Sequence, residues 1–138
     1  MNSGSCTDTG GSRESTGAGA PAVEVTGGQY TGQGVTFLSE HGSVPAIYAE
    51  GAGVVILNGG STIITTESHG YGIEVGAGGT VHANSIQITT EEYGSDAILA
   101  VGSGAYVSLE DVGIVAKGGS ARGMRVSDGA VVGAPMYQ

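Results

Sequence analysis

From Val23 onward the apolar residues fall in pairs with one residue between them, and the pairs recur. Val23/Val25, Ile47/Ala49, Ile73/Val75, Ile98/Ala100 and Met124/Val126 lead at intervals of 24, 26, 25 and 26 residues. The last four follow corners rich in small residues: Gly42-Ser43, Gly70, Gly94-Ser95 and Gly119-Ser120. A second set, Val55/Leu57, Val81/Ala83 and Val107/Leu109, steps by 26, with a fainter copy at Val131 or Val132. A third set reads Val35/Phe37, Thr62/Ile64, Ile86/Ile88 and Val112/Ile114. Alternation by two places one set of side chains on one face of a strand. Each period therefore predicts three short strands separated by polar or glycine corners.

A fixed period of this size is the mark of a stacked repeat. The predicted fold is all-β: a right-handed, single-stranded parallel β-helix with three sides and about five coils, spanning residues 21–138. One coil cannot bury its inward residues alone, so each strand must pair with its counterpart about 4.8 Å above. Ile47, Ile73, Ile98 and Met124 are expected to form one inward column, with Ala49, Val75, Ala100 and Val126 beside it. The pairs Gly27-Gly28, Gly59-Gly60, Gly78-Gly79 and Gly118-Gly119 are expected at corners that need positive φ.

Residues 1–20 break the pattern. They are Gly-, Ser- and Thr-rich, and beyond Met1 have no apolar aliphatic or aromatic side chain larger than Ala. This stretch reads as a disordered leader without the apolar groups to cover a first coil. At the other end Gly133-Ala134-Pro135-Met136-Tyr137-Gln138 interrupts a coil, so the helix is expected to be partial and uncapped there, with a frayed last coil or end-to-end self-association.

Composition narrows the function. Hydrophobic residues make up 39% of the chain, enough for a core, yet Trp is absent and Phe occurs once. Thirteen acidic residues against four basic ones leave a net charge of −9, which argues against nucleic acid and anionic membranes. Cys6 is the single cysteine, so no internal disulfide forms, and Ser3-Gly4-Ser5 before it is a poor lipobox. No signal peptide and no apolar membrane span is evident.

The strings Gly72-Ile73-Glu74-Val75-Gly76-Ala77-Gly78-Gly79-Thr80-Val81 and Gly123-Met124-Arg125-Val126-Ser127-Asp128-Gly129-Ala130-Val131, with strands such as Ile88-Thr89-Thr90, carry a family resemblance. Residues 22–133 resemble the passenger β-helix of pertactin-like autotransporters of Gram-negative bacteria. The resemblance implies a structural stalk or adhesin, secreted or displayed at the cell surface in association with the outer membrane. It implies a host protein or glycan as partner, no cofactor, and covalent continuation into a longer passenger and a membrane barrel. Low cysteine use suits passage through a periplasm as an unfolded chain. The family's signal peptide and barrel are not in this sequence, which reads as an N-terminal passenger fragment, a truncated gene product or an engineered piece. The alternative is a fragment of a β-helix polysaccharide-active enzyme or of a phage tailspike.

Chemical candidates are few, and no catalytic, cofactor or metal residue is assigned. His41 and His69 sit in similar corners, where stacking would aim them at one metal, but a third ligand is lacking. Glu40, Glu67, Glu91 and Glu92 gather near the same corners, where stacked carboxylates would repel or take up calcium, without the calcium-binding nonapeptide of other solenoids. Glu50 and Glu74 are expected on one outer face in adjacent coils, with nothing basic or aromatic beside them to hold a sugar. His41-Gly42 and His69-Gly70 resemble one polygalacturonase motif whose partner Asn-Thr-Asp and Asp-Asp strings are absent. A lyase base would have to come from Lys117, Arg122 or Arg125, and no G-x-S-x-G elbow exists. Thr65-Thr66 and Thr89-Thr90 suggest a short threonine ladder of the ice-binding kind, broken at Ala116. The reading is therefore of a non-enzymatic module.

Overall fold

The computed structural model describes residues 4–15, 21–40 and 42–133. The first coil contains β1 (Ser5–Thr9), β2 (Ser12–Glu14) and β3 (Val23–Val25). The second contains β4 (Gln29–Gln33), β5 (Thr36–Ser39) and β6 (Ile47–Ala49). The third contains β7 (Val54–Asn58), β8 (Thr62–Thr65) and β9 (Ile73–Val75). The fourth contains β10 (Thr80–Asn84), β11 (Gln87–Thr90) and β12 (Ile98–Val101). The fifth contains β13 (Tyr106–Glu110), β14 (Gly113–Ala116) and β15 (Met124–Ser127), and β16 (Val131–Gly133) opens the next turn. Every third strand stacks in one sheet: β1-β4-β7-β10-β13-β16, β2-β5-β8-β11-β14 and β3-β6-β9-β12-β15. All pairings are parallel, and among the described residues there is no helix. The chain is a three-sided parallel β-solenoid.

The inward columns follow the sequence pattern on two sides. Val23, Ile47, Ile73, Ile98 and Met124 are register partners in succession, as are Val25, Ala49, Val75, Ala100 and Val126. In the first sheet Val55, Val81 and Val107 align, and Val107 pairs with Val132, which settles the fainter copy in favour of Val132. These strands are short and rich in Val and Ile, and from coil two to coil four their inward side chains are at most 3% exposed. Met124 and Val126 hold the same columns at 45% and 44% exposure, because no strand lies over β15 among the described residues.

The third side corrects the expected register. Phe37 pairs with Ile63, not Ile64, and Ile63 continues to Ile88 and Ile114. In Ser61-Thr62-Ile63-Ile64-Thr65 the buried residues are Ser61, Ile63 and Thr65. An apolar residue stands at both parities here, so alternation alone favours neither face, and the neighbouring coils decide. The threonines are corrected with it. Thr65 pairs with Thr90 inside the coil, both fully buried, whereas Thr89 pairs with Ile64 on the outside. No outer threonine ladder results.

Residues 4–15 were expected to be leader and are instead most of a coil. β1 pairs with β4 over five residues and β2 with β5 over three. Residues 1–3 and 16–20 lie outside the described residues. On the first two sides of this coil the inward positions are Cys6, Asp8, Arg13 and Ser15, in register beneath Tyr30, Gly32, Phe37 and Ser39. No apolar alternation marks them, which is why the sequence pattern passes over them. Arg13 forks onto Asp8 through Nε at 2.7 Å and Nη2 at 3.0 Å, and Tyr30 Oη donates to Asp8 Oδ2 at 2.7 Å. Tyr30 packs edge-on against Phe37, and a Cβ on Gly32 would come within 3.0 Å of the Phe37 ring. On two sides of this coil the apolar core thus gives way to a hydrogen-bonded ion pair, while Val23 and Val25 keep the third side apolar. This polar layer was not expected.

Corners repeat as strictly as strands. Gly28, Gly60 and Gly78 have the positive φ expected of them, but at the fourth pair the left-handed residue is Ser120 rather than Gly118 or Gly119. Gly118 is needed for closeness, since a Cβ there would collide with the Glu92 carbonyl. Ser43, His69, Gly94 and Ser120 succeed one another in the corner before the third sheet, all at φ of 58–69°. Side chains with polar atoms near the backbone share this conformation with glycine.

Candidate functional site

The outward positions of the third sheet run Glu24, Tyr48, Glu74, Leu99, Arg125 along the helix axis. The corner before this sheet adds Tyr71, Asp96 and Arg122, each one coil above the last. Together they make the most chemically varied strip among the described residues. It changes from acidic to basic along the axis, because three of the four basic residues of the chain, Lys117, Arg122 and Arg125, lie in its fifth coil.

At the acidic end, Tyr48 Oη donates to Glu50 Oε2 at 2.7 Å. Glu50 is two residues beyond the Glu24–Tyr48–Glu74 column, in a turn beside Gly76. Burial and the Glu50 charge push the Glu74 carboxyl above the usual carboxylate range, against the pull of Arg125. Burial and the bond to Glu50 likewise raise the Tyr48 phenol. Glu50 and Glu74 do share an outer face, as expected, but they are flanked by Tyr48 and felt by Arg125, so the expectation of bare surroundings is overturned. Glu24, Tyr48 and Glu74 line a shallow depression of about 190 Å³ with Pro21, Ser43 and Pro45.

At the basic end, Asp96 is buried, with its side chain 3% exposed. It accepts the Arg122 backbone N–H at 2.9 Å and pairs with Arg125 Nε at 3.0 Å, outside hydrogen-bond alignment. Arg125 Nη2 donates to Tyr71 Oη at 3.3 Å, and its guanidinium carbon lies 5.9 Å from the centre of that ring. His69 packs edge-on against Tyr93 with ring centres 5.8 Å apart. A Cβ on Gly94 would lie 2.8 Å from His69 Nε2, so glycine is what lets the imidazole lie along the axis. These residues, with Ser120 and Arg122, surround a second depression of about 200 Å³.

The other candidates disperse. His69 aligns with Ser43 below it and Gly94 above, so it is not the counterpart of His41, which lies outside the described residues. Among the described residues no group of three or more His, Cys, Asp or Glu could hold a metal ion. The expected stack of glutamates forms only in part: Glu67 and Glu92 fall at matching positions of adjacent coils, whereas the column of Glu40 and Glu91 is interleaved. Thr66 stands between Glu40 and Glu91, and Lys117 follows Glu91 with a loose ion pair of 3.8 Å. Cys6 is half-buried beneath Tyr30.

Sequence reasoning missed the Tyr71–Arg125 contact, which joins residues 54 apart, and the Asp96–Arg125 pair. The available signal was the period itself: two coils separate Tyr71 from the residues above Asp96. Compared with family models, curated proteins and solved structures, the chain matches none.

Proposed function

We propose that the chain is a structural and adhesive segment of an autotransporter-like passenger, displayed on the outer surface of a Gram-negative bacterium or secreted from it. The observation that carries this reading is the unbroken register of all three parallel sheets from coil to coil, with short corners throughout. Such a solenoid is a stiff rod whose outer side chains form ladders, suited to holding contacts away from a membrane anchor. The small aliphatic core and the lack of any disulfide are consistent with export as an unfolded chain. A host protein or glycan is the proposed partner. The test is surface proteolysis of intact cells that make the protein, followed by immunoblotting for residues 22–133. Loss of the chain from intact cells supports the proposal. Protection until the cells are lysed overturns it.

A second reading, as part of a polysaccharide-active β-helix, is favoured by one observation: Glu74, with its carboxyl pushed toward the protonated form, shares a face with Glu50. Glycoside hydrolysis uses two carboxyls that flank one glycosidic bond. Turnover of pectin or alginate that disappears in Glu50→Gln/Glu74→Gln would establish it. No turnover by the parent chain is the expected result.

A further inference from the structure

We propose that the depression between Tyr71, Tyr93, Arg122 and Arg125 binds a single carboxylated sugar unit, such as a terminal hexuronate. The proposal deepens the adhesive reading by naming a ligand class. Three features of the depression select that chemistry.

The first is charge. The chain carries −9 overall, so most of its surface repels anions. Here Arg122 and Arg125 both line one hollow, and Asp96 pairs with the side chain of only one of them. The Arg122 side chain makes no ion pair among the described residues, so its planar fork is open to a carboxylate, which it matches with two parallel hydrogen bonds. Arg125 is held in place from behind by Asp96 and Tyr71, which removes the rotamer cost of recruiting it.

The second is the pair of rings. Tyr93 is 56% exposed, unusually open for an aromatic side chain, and is braced edge-on by His69. Tyr71 also lines the hollow, with the Arg125 guanidinium over its ring. Rigid aromatic faces beside polar groups suit a pyranose, which has an apolar face and a hydroxylated rim. A bare phosphate or acetate would use the arginines and leave the rings idle.

The third is size and rigidity. About 200 Å³ is too small for a drug-sized ligand and adequate for one sugar ring. The walls come from three successive coils stapled by backbone hydrogen bonds, including His69 to Tyr93, Gly94 to Gly119 and Ala97 to Arg122. The site needs no closing movement.

The experiment is an NMR titration of the full 138-residue chain with methyl β-glucuronide, against methyl β-glucoside, acetate and inorganic phosphate. The expected result is saturable shifts confined to residues 69–71, 93–96 and 120–125. The affinity for the glucuronide should be in the millimolar range and at least about tenfold tighter than for any of the other three. Arg122→Gln should abolish that preference, and Tyr93→Ala should weaken glucuronide binding without favouring the glucoside. Equal binding of the glucoside overturns the proposal. So does equal binding of acetate or phosphate, which would reduce the hollow to a plain anion site. Full-strength binding by Arg122→Gln overturns it as well, and because that side chain is unpaired the variant keeps its fold. A negative titration leaves surface display untouched, since proteolysis of intact cells tests that separately.

Discussion

Tyr30 reaches from the second coil to donate its hydroxyl to Asp8 of the first, at 2.7 Å, and the same Asp8 oxygen accepts Arg13 Nε at 2.7 Å. Neither Asp8 nor Arg13 would be chosen for a solenoid interior on hydropathy. Joined, they satisfy each other's polar groups on two sides of the first coil, where the coils above carry apolar residues. The bidentate Arg13 pair holds the Asp8 carboxyl below the usual carboxylate range, with Tyr30 adding to the effect. Burial and the bond to Asp8 raise the Tyr30 phenol.

The Asp8–Arg13 pair predicts a particular response to acid. A carboxyl whose folded pKa is lowered lends stability above its ordinary pKa and loses it as pH falls through the folded value. The first coil should therefore loosen below about pH 4, ahead of the remainder. Asp8→Asn should remove that pH dependence and cost on the order of 1 kcal/mol at neutral pH, since Arg13 is half-exposed and its pair partly screened. Hydrogen exchange of residues 5–9 against residues 73–75, measured from pH 3 to 7, checks both parts.

The register of β8 predicts opposite fates for two adjacent isoleucines. Ile63 is fully buried between Phe37 and Ile88, so Ile63→Ala should cost about 2–5 kcal/mol. Ile64 faces outward between Leu38 and Thr89, and Ile64→Ala should cost about 1 kcal/mol or less. Urea unfolding of both variants decides the register, and the reverse order would shift β8 by one residue.

Thr65 and Thr90 bury their hydroxyl oxygens without a hydrogen-bond partner. Such a group carries a desolvation cost that a methyl of similar size avoids. Thr90→Val should raise stability by about 1 kcal/mol, and Thr65→Val should do the same. Thermal unfolding of the two single variants and the double variant measures the gain. A loss in both would mean that ordered water pairs with the hydroxyls.

Glu74 should titrate against stability. Its folded pKa is raised by burial and by Glu50, so folding favours its protonated form. Stability is then highest below the ordinary glutamate pKa and declines as pH rises through the folded value. Glu74→Gln should be more stable than the parent at pH 7, with the difference vanishing near pH 4 or below. Denaturation midpoints across that range test the sign.

Much of this architecture is written in the order of the residues. The 24- to 26-residue spacing of Val23, Ile47, Ile73, Ile98 and Met124 determines that coils stack, and segments such as Val23-Glu24-Val25, Ile73-Glu74-Val75 and Val107-Ser108-Leu109 show one apolar parity, which fixes the face that lines the core. The acidic balance and the late clustering of Lys117, Arg122 and Arg125 are equally plain. Tertiary structure decided the rest. In Thr62-Ile63-Ile64-Thr65 both parities carry an isoleucine, and only hydrogen bonding to β5 and β11 picks the inward one. Ser5–Thr9, which has no apolar alternation of its own, becomes a strand because β4 offers it an edge. Tyr71, Asp96 and Arg125 meet because the coil returns the chain to the same corner each turn. Alternation records which way a side chain points, whereas the choice between equal faces and the meeting of distant side chains depend on the neighbour above and below.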